Sequence, residues 1–266
     1  MPEGDTIWKT AATLRRAIAG RTLTAFETTV PLRRRPTPGV AIGDVEARGK
    51  HLLIRFGDGT VLHTHMRMHG SWHVYRTGDR WRRHPAAMRV AISTAETQAV
   101  CFGAPVVEML TAAEAEHHPR LSALGPDLTG PDPDVGAAAS RLAGLPDAEI
   151  GVALLDQRVA AGIGNVYKSE VLFACRVDPF ARVESLPEAA RAELVTTAAS
   201  MLRANAERSG PRSTTGRGRL AVYGRAGLPC PRCGERVASA RQGDQARVTY
   251  WCPRCQPATR TQPAHT

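Results

Sequence analysis

Two C-x-x-C pairs constrain this chain more than any other feature. Cys230-Pro-Arg-Cys233 and Cys252-Pro-Arg-Cys255 stand 18 residues apart. A tight turn lets each pair aim two thiolates at one metal, and two such knuckles close the tetrahedral site that structural zinc prefers. Redox pairs and free thiols are the competing readings. The segment between the pairs carries Val237 and Val248–Tyr250 around a polar stretch, as the two strands of a β-hairpin would. One structural Zn2+ on Cys230, Cys233, Cys252 and Cys255 is therefore the expected cofactor. Cys101 and Cys175 lie outside the module and read as buried thiols.

The rest of the chain divides by period. Ile7, Leu14 and Ile18 recur at helical spacing, with Asp5 and Thr6 as candidate caps and Gly20 as a stop, so residues 5–20 are predicted helical. From about 21 to 110 short strand-like runs follow, among them His51–Phe56, Val61–His65, Met88–Ile92 and Ala99–Phe102. This predicts a mostly β domain, a sandwich with one helix in front. Residues 125–147 are rich in Gly, Pro, Asp and Ala and read as a linker. Beyond them, Val152, Leu154, Leu155 and Val159 are expected on one helical face. Val166, Val171 and Leu172 follow the Gly162-Ile163-Gly164 turn, and Glu188–Glu207 reads as a long amphipathic helix. Residues 209–227 read as loop, and no internal repeat is present.

Lys plus Arg exceed Asp plus Glu by 35 to 25, a net +10. Such an excess suits a polyanionic partner, because neutralising phosphates releases condensed counterions, although many soluble proteins are basic without one. Arg232, Arg236, Arg241, Arg247 and Arg254 surround the cysteine knuckles, which makes the hairpin a candidate nucleic-acid-facing element or a folding staple with solvated arginines. No run approaches the ~18 apolar residues that span a bilayer, and Asp5 and Lys9 interrupt any signal-peptide core. No membrane is expected, and the location implied is the cytoplasm.

The start Met1-Pro2-Glu3-Gly4 adds a chemical possibility. Methionine before proline is readily removed, leaving a secondary amine able to attack a sugar C1′ and form an iminium. Taken alone, the same residues are a frayed end. Three further motifs accompany them: Arg48-Gly49-Lys50-His51-Leu52-Leu53, the run Gly162-Ile163-Gly164-Asn165-Val166-Tyr167-Lys168-Ser169-Glu170, and Tyr223-Gly224-Arg225 leading into the cysteine module with Gln245-Ala-Arg247 and Tyr250-Trp251-Cys252. Along nearly its whole length the chain resembles the formamidopyrimidine-DNA glycosylase/endonuclease VIII family.

That resemblance implies an α+β fold: an N-terminal catalytic β-sandwich with a leading helix over 1–124, the linker 125–147, a helix–two-turn–helix domain over 148–222, a zinc-finger hairpin over 223–260 and a tail over 261–266. It implies three catalytic residues: Pro2 as nucleophile, Glu3 as general acid/base, and Lys50, on a strand, holding a phosphate beside the lesion and assisting proton traffic. Asn165, Lys168 and Arg247 are implied as contacts to the DNA backbone. The run His65-Met66-Arg67-Met68-His69-Gly70 aligns with the loop that fills the hole left by a flipped base, Met68 being the plug and His65, Arg67 and His69 its company. A buried core methionine is the alternative for Met68. The implied partner is double-stranded DNA carrying oxidised bases or abasic sites, bound by a monomer and nicked by β,δ-elimination.

Within the family, Gly4 in the opening PEGDT resembles the endonuclease VIII branch, and Thr94–Phe102 lacks an Arg-Phe pair expected of the 8-oxoguanine branch. Oxidised pyrimidines are thus the expected substrates. Thr6 departs from the glutamate many members carry there, and Arg67-Met68-His69 departs from a Gln-Leu-Tyr wedge, which leaves opposite-base preference open. An 8-oxoguanine/formamidopyrimidine glycosylase and a non-catalytic damaged-DNA binder remain as alternatives.

Overall fold

A computed structural model describes residues 2–215 and 218–258, in two compact units, Met1–Ala123 and Leu124–Thr266. The tail expected over 261–266 lies outside the described residues. In the first unit, helix α1 (Gly4–Ile18) buries Ile7, Ala11, Leu14 and Ile18, one stripe at helical spacing. Glu3 occupies the N-cap position without a side-chain cap, so Asp5 and Thr6 lie inside the helix rather than capping it. Gly20, at φ +74°, follows the last turn.

Eight strands follow: β1 (Ala25–Thr28), β2 (Ile42–Arg48), β3 (His51–Phe56), β4 (Thr60–His65), β5 (Ser71–Arg76), β6 (Met88–Ser93), β7 (Thr97–Phe102) and β8 (Val106–Thr111). They form two antiparallel sheets, ordered β1-β6-β7-β5 and β2-β3-β4-β8. Alternation assigns the faces. Val90, Ile92, Ala99 and Cys101 join Ile42, Leu52, Ile54, Leu62 and the α1 stripe in one core. Ala91, Val100 and Phe102 point the other way, against Tyr75 and Trp81. Two short helices, α2 (Ala112–Glu116) and α3 (Pro119–Ser122), end this unit.

The second unit begins where a linker was expected. Residues 125–147 contain helix α4 (Val135–Ala143), capped by Asp134, whose Oδ1 accepts the Ala137 amide at 2.8 Å. Ala138 and Leu142, four apart, enter the unit's core, so the Gly/Pro/Asp composition marks turns around a packed helix rather than a linker. The helical face expected through Val152 and Val159 is shorter: α5 spans Ile150–Ala153 only, with Val152 exposed, while Leu154 and Val159 pack from the following turns. Helix α6 (Asn165–Ala174) is buried on every side from Asn165 to Phe173, and α7 (Glu188–Glu207) covers the core with Leu194, Val195, Ala198 and Leu202. Strands β9 (Ala238–Gln242) and β10 (Arg247–Trp251) form the terminal hairpin. Phe173, Val222 and Val237 pack beside Cys230 and Cys252.

Candidate active site and nucleic-acid interface

The start of the chain is packed, not frayed. Glu3 has 0% exposure and Gly4 and Asp5 are buried, with Pro2 partly exposed ahead of them. The Glu3 carbonyl accepts the Thr6 and Ile7 amides at 2.9 and 3.1 Å, which fixes its backbone at the positive end of α1, where a carboxylate is favoured. The Thr6 hydroxyl donates to Asp5 Oδ1 at 3.3 Å, so the threonine that departs from the family pattern is engaged with its neighbour.

Lys50 stands on a turn rather than on a strand. Arg48 pairs with His51, leaving Gly49-Lys50 as a two-residue hairpin loop between β2 and β3. Gly49 has φ +55° at the first central position, the place where such a loop needs glycine. Lys50 therefore sits at the tip of the hairpin, partly exposed.

Strand β4 ends at His65 and opens the next loop. Met66 is buried at 2%, whereas Met68 is 55% exposed, with exposed Arg67 and His69 beside it. The turn is tight: Arg67 has φ +44°, and the Gly70 amide donates to the Met66 carbonyl at 2.8 Å. A Cβ on Gly70 would lie 2.7 Å from that oxygen, so this position excludes other residues without movement of the backbone. His65 Nδ1 accepts the Arg67 amide at 3.2 Å. Burial, then the charges of His63, Lys50 and Arg67, pushes the His65 imidazole down to about 4. It therefore contributes a neutral ring that holds the turn, not a cation for phosphate.

In the second unit, Asn165 begins α6 after the glycine turn. Its Nδ2 donates to the Val248 carbonyl at 2.7 Å, on the strand that starts at Arg247. One amide hydrogen is thereby committed to β10. Gln157 splints the turn: its Nε2 donates to the Leu155 and Ile163 carbonyls, each at 2.9 Å, and its Oε1 accepts the Gly162 amide at 3.2 Å. Arg247 is exposed, its guanidinium 3.3 Å from Gln245 Oε1.

Lys168 lies elsewhere than a DNA contact would. It has 0% exposure, and its Nζ donates to Thr249 Oγ1 at 2.7 Å. Thr249 donates to Gln242 Oε1 at 2.6 Å, and Gln242 Nε2 donates to Glu149 Oε2 and the Pro179 carbonyl. The polar residues of a helix buried on all sides need partners inside the protein, and Lys168 finds its own on the finger hairpin. Glu170 does the same for the chain ahead of the finger. Its carboxylate accepts the amides of Ala221, Val222 and Tyr223 at 2.7–2.8 Å and the Thr214 hydroxyl. Neither Gln157 nor Gln242 carries a sequence signal, since a glutamine's role depends on what folds around it.

The four finger cysteines fit zinc. Cys230 Sγ lies 3.9 Å from Cys255 Sγ and Cys233 Sγ 3.5 Å from Cys252 Sγ, and all four lie within 4.8 Å of one another. Zn–S bonds of ~2.3 Å place tetrahedral sulfurs about 3.8 Å apart. Burial, then the neighbouring thiols, pushes Cys255 up to about 12, a crowding that a cation would relieve. The arginines around the knuckles are not equivalent. Arg232 caps the end of α6, donating to the Phe173 and Ala174 carbonyls and stacking 4.3 Å from the Phe173 ring. Arg236 and Arg241 donate to the Gly227 and Ala246 carbonyls.

Three families match by region: the formamidopyrimidine-DNA glycosylase N-terminal domain over residues 1–105, its H2TH domain over 124–216, and the zinc finger found in FPG and IleRS over 227–258. The chain is 48% identical to a probable endonuclease 8 2 of Streptomyces coelicolor, over 96% of this chain and 94% of that protein. It is 42% identical to a DNA-(apurinic or apyrimidinic site) lyase of Mycolicibacterium smegmatis, over 97% of this chain and all of that one. Endonuclease 8 of Escherichia coli is 31% identical over 96% of this chain. The fold matches Lactococcus lactis formamido-pyrimidine DNA glycosylase bound to DNA containing an AP site, with a TM-score of 0.83 over 97% of this chain and 100% of that one at 24% identity. Among the described residues no helix is long and apolar enough to cross a membrane.

Proposed function

The chain belongs to the formamidopyrimidine-DNA glycosylase/endonuclease 8 family, and we propose that it excises oxidised pyrimidines through the amine of Pro2. It is a DNA glycosylase/AP lyase of base excision repair. The observation that carries the catalytic reading is Glu3: a carboxylate without exposed surface, directly after the proline and at the front of a helix, is a built feature and not a loose end.

The chemistry follows from the residues. With Met1 removed, Pro2 presents a secondary amine, and an α-amino group titrates near ~8, so a useful fraction is neutral at physiological pH. An amine cannot reach C1′ inside a stacked duplex, so the nucleotide must be extruded and the vacancy filled, a role suited to exposed Met68 on its constrained turn. Attack on C1′ breaks the N-glycosidic bond, and the departing base takes a proton. The sugar ring opens to an iminium on Pro2. Glu3 moves protons to and from the sugar. Loss of the C2′ proton expels the 3′ phosphate, a second elimination expels the 5′ phosphate, and water then frees Pro2. Lys50, at its hairpin tip, holds a phosphate beside the lesion.

Asn165 and Arg247 are assigned to the DNA backbone, supported by the hydrogen bond that ties Asn165 to the Val248 carbonyl next to Arg247. Zinc on Cys230, Cys233, Cys252 and Cys255 gives folding energy to the hairpin that carries Arg247 and takes no part in the chemistry. The pyrimidine preference rests on Gly4 in the opening PEGDT, on the missing Arg-Phe pair in Thr94–Phe102 and on relatives named endonuclease 8. A monomer acting in the bacterial cytoplasm completes the reading.

Borohydride trapping tests it, on duplexes carrying thymine glycol, 8-oxoguanine opposite cytosine, or an abasic site. The expected result is a covalent adduct on the N-terminal peptide, stronger on thymine glycol than on 8-oxoguanine. The reverse order would move the substrate to oxidised purines. Undiminished excision by Pro2→Gly would remove the nucleophile assignment.

A further inference from the structure

On the sheet β2-β3-β4-β8, three imidazoles and a carboxylate share one face. His51 lies directly opposite His65, and His63 directly opposite Glu108; His63 and His65, two apart on β4, point the same way. His118 joins them from the chain beyond β8, where it precedes α3. His63 Nδ1 is 2.8 Å from Glu108 Oε2, and His118 Nε2 is 3.2 Å from the same oxygen. The three donor atoms lie within 4.8 Å of one another.

We propose that His63, Glu108 and His118 form a second metal site, for a divalent cation of the zinc class. Bonds of ~2.0–2.2 Å to nitrogen and oxygen place tetrahedral ligands roughly 3.3–3.5 Å apart. A cation therefore fits once the shorter contact opens by about half an ångström. Two imidazoles and one carboxylate select a borderline first-row ion over magnesium or calcium. The ligand set is also supported from behind. His63 Nε2 lies 2.8 Å from His51 Nδ1, the outer hydrogen bond that holds a metal-ligating ring in place. That nitrogen–nitrogen contact requires one of the two atoms to be unprotonated, so the pair cannot be doubly charged.

The protons balance without a co-reactant. In the metal-free protein the His63 Nδ1 and His118 Nε2 hydrogens point at Glu108. Coordination moves the His63 proton to Nε2, where it is donated to His51, and the His51 proton moves to its own Nε2. The His118 proton moves to Nδ1, which gives up a long 3.3 Å contact with the Arg120 amide. Glu108 exposes 39% of its side chain and His118 14%, which leaves an entry path, while His63 is fully buried. Three protein ligands leave a position for water. The positive charge of Arg120 acts on this cluster and opposes a cation, so the site fills after the four-thiolate finger. Its effect is a clip, fastening the segment at His118 to the sheet through β8.

The test uses the full-length protein with its finger loaded. Equilibrated at micromolar free zinc, the wild type should carry two zinc per chain by elemental analysis, and His118→Ala and Glu108→Gln, both at partly exposed side chains, one each. The retained single zinc shows that the finger is intact in the variants. Histidine side-chain NMR should show the His63 and His118 resonances moving with the second equivalent. One zinc per wild-type chain with unmoved imidazoles would leave the cluster a hydrogen-bond network and overturn the site. A second equivalent that survives in both variants would also overturn it, by placing the ion elsewhere.

Discussion

On the proposed reading, the buried Glu3 carboxylate moves protons for the Pro2 amine beside it. Glu3→Gln keeps the shape and the hydrogen-bonded backbone of the α1 start but cannot cycle a proton. Single-turnover base release should fall on the order of 10²–10⁴-fold, while borohydride still traps Pro2 on a pre-formed abasic site. Unaltered base release would take the general acid/base role away from Glu3. The loop that carries Met68 makes a different demand. Met68→Ala should leave thermal stability nearly unchanged, since the side chain is 55% exposed, but weaken discrimination between paired and flipped nucleotides, read as a lower rate on duplex than on single-stranded lesions. A loss of several degrees in Tm would instead return Met68 to the core. The sequence pointed to Met68 and left a core methionine as the alternative, which only the folded turn decides, by burying Met66 and exposing Met68.

At the scale of elements, helix α6 organises the second unit by being buried on every side. Three of its polar residues reach other parts of the unit: Asn165 the Val248 carbonyl and Lys168 the Thr249 hydroxyl, both on β10, and Glu170 the amides of Ala221–Tyr223. Lys168→Met fills similar volume but leaves Thr249 without its donor, and should cost roughly 1–3 kcal/mol. Affinity for DNA should drop with it through a displaced β10, and unchanged stability would show that the ammonium is dispensable. Removing zinc from the wild type with a chelator should raise hydrogen exchange across β9 and β10 and spare β2–β4, whose core lies in the other unit. These elements differ in how far the sequence announces them. The four cysteines and the Glu188–Glu207 stripe are local patterns, and both were legible. Lys168 was not, since a charged residue in a DNA-binding signature reads as a surface contact until the helix proves to have no surface. Helix α4 was obscured in the same way, its Asp134 cap and Ala138/Leu142 spacing lying among glycines and prolines that suggest a linker.

For the whole molecule, the +10 charge is a prediction about salt. Affinity for DNA should fall linearly on a log–log plot against salt, with a slope of about −0.9 for each phosphate neutralised. The slope counts contacts, not net charge, and several arginines are already spent inside the protein. Arg232 is bound to the end of α6, and Arg236 and Arg241 to backbone carbonyls of the finger region. Among the described residues Arg247 has only a glutamine oxygen at 3.3 Å, a weak partner that a phosphate can displace. Arg247→Ala should therefore flatten the slope by about 1 and weaken binding uniformly across sequences. Arg232→Ala should leave the slope alone and lower Tm, because it uncaps α6 and strips a cation from the Phe173 ring. If the two variants exchange behaviours, the charge that meets DNA is on the knuckle and not on β10, and the hairpin's role in gripping the backbone passes from Arg247 to Arg232.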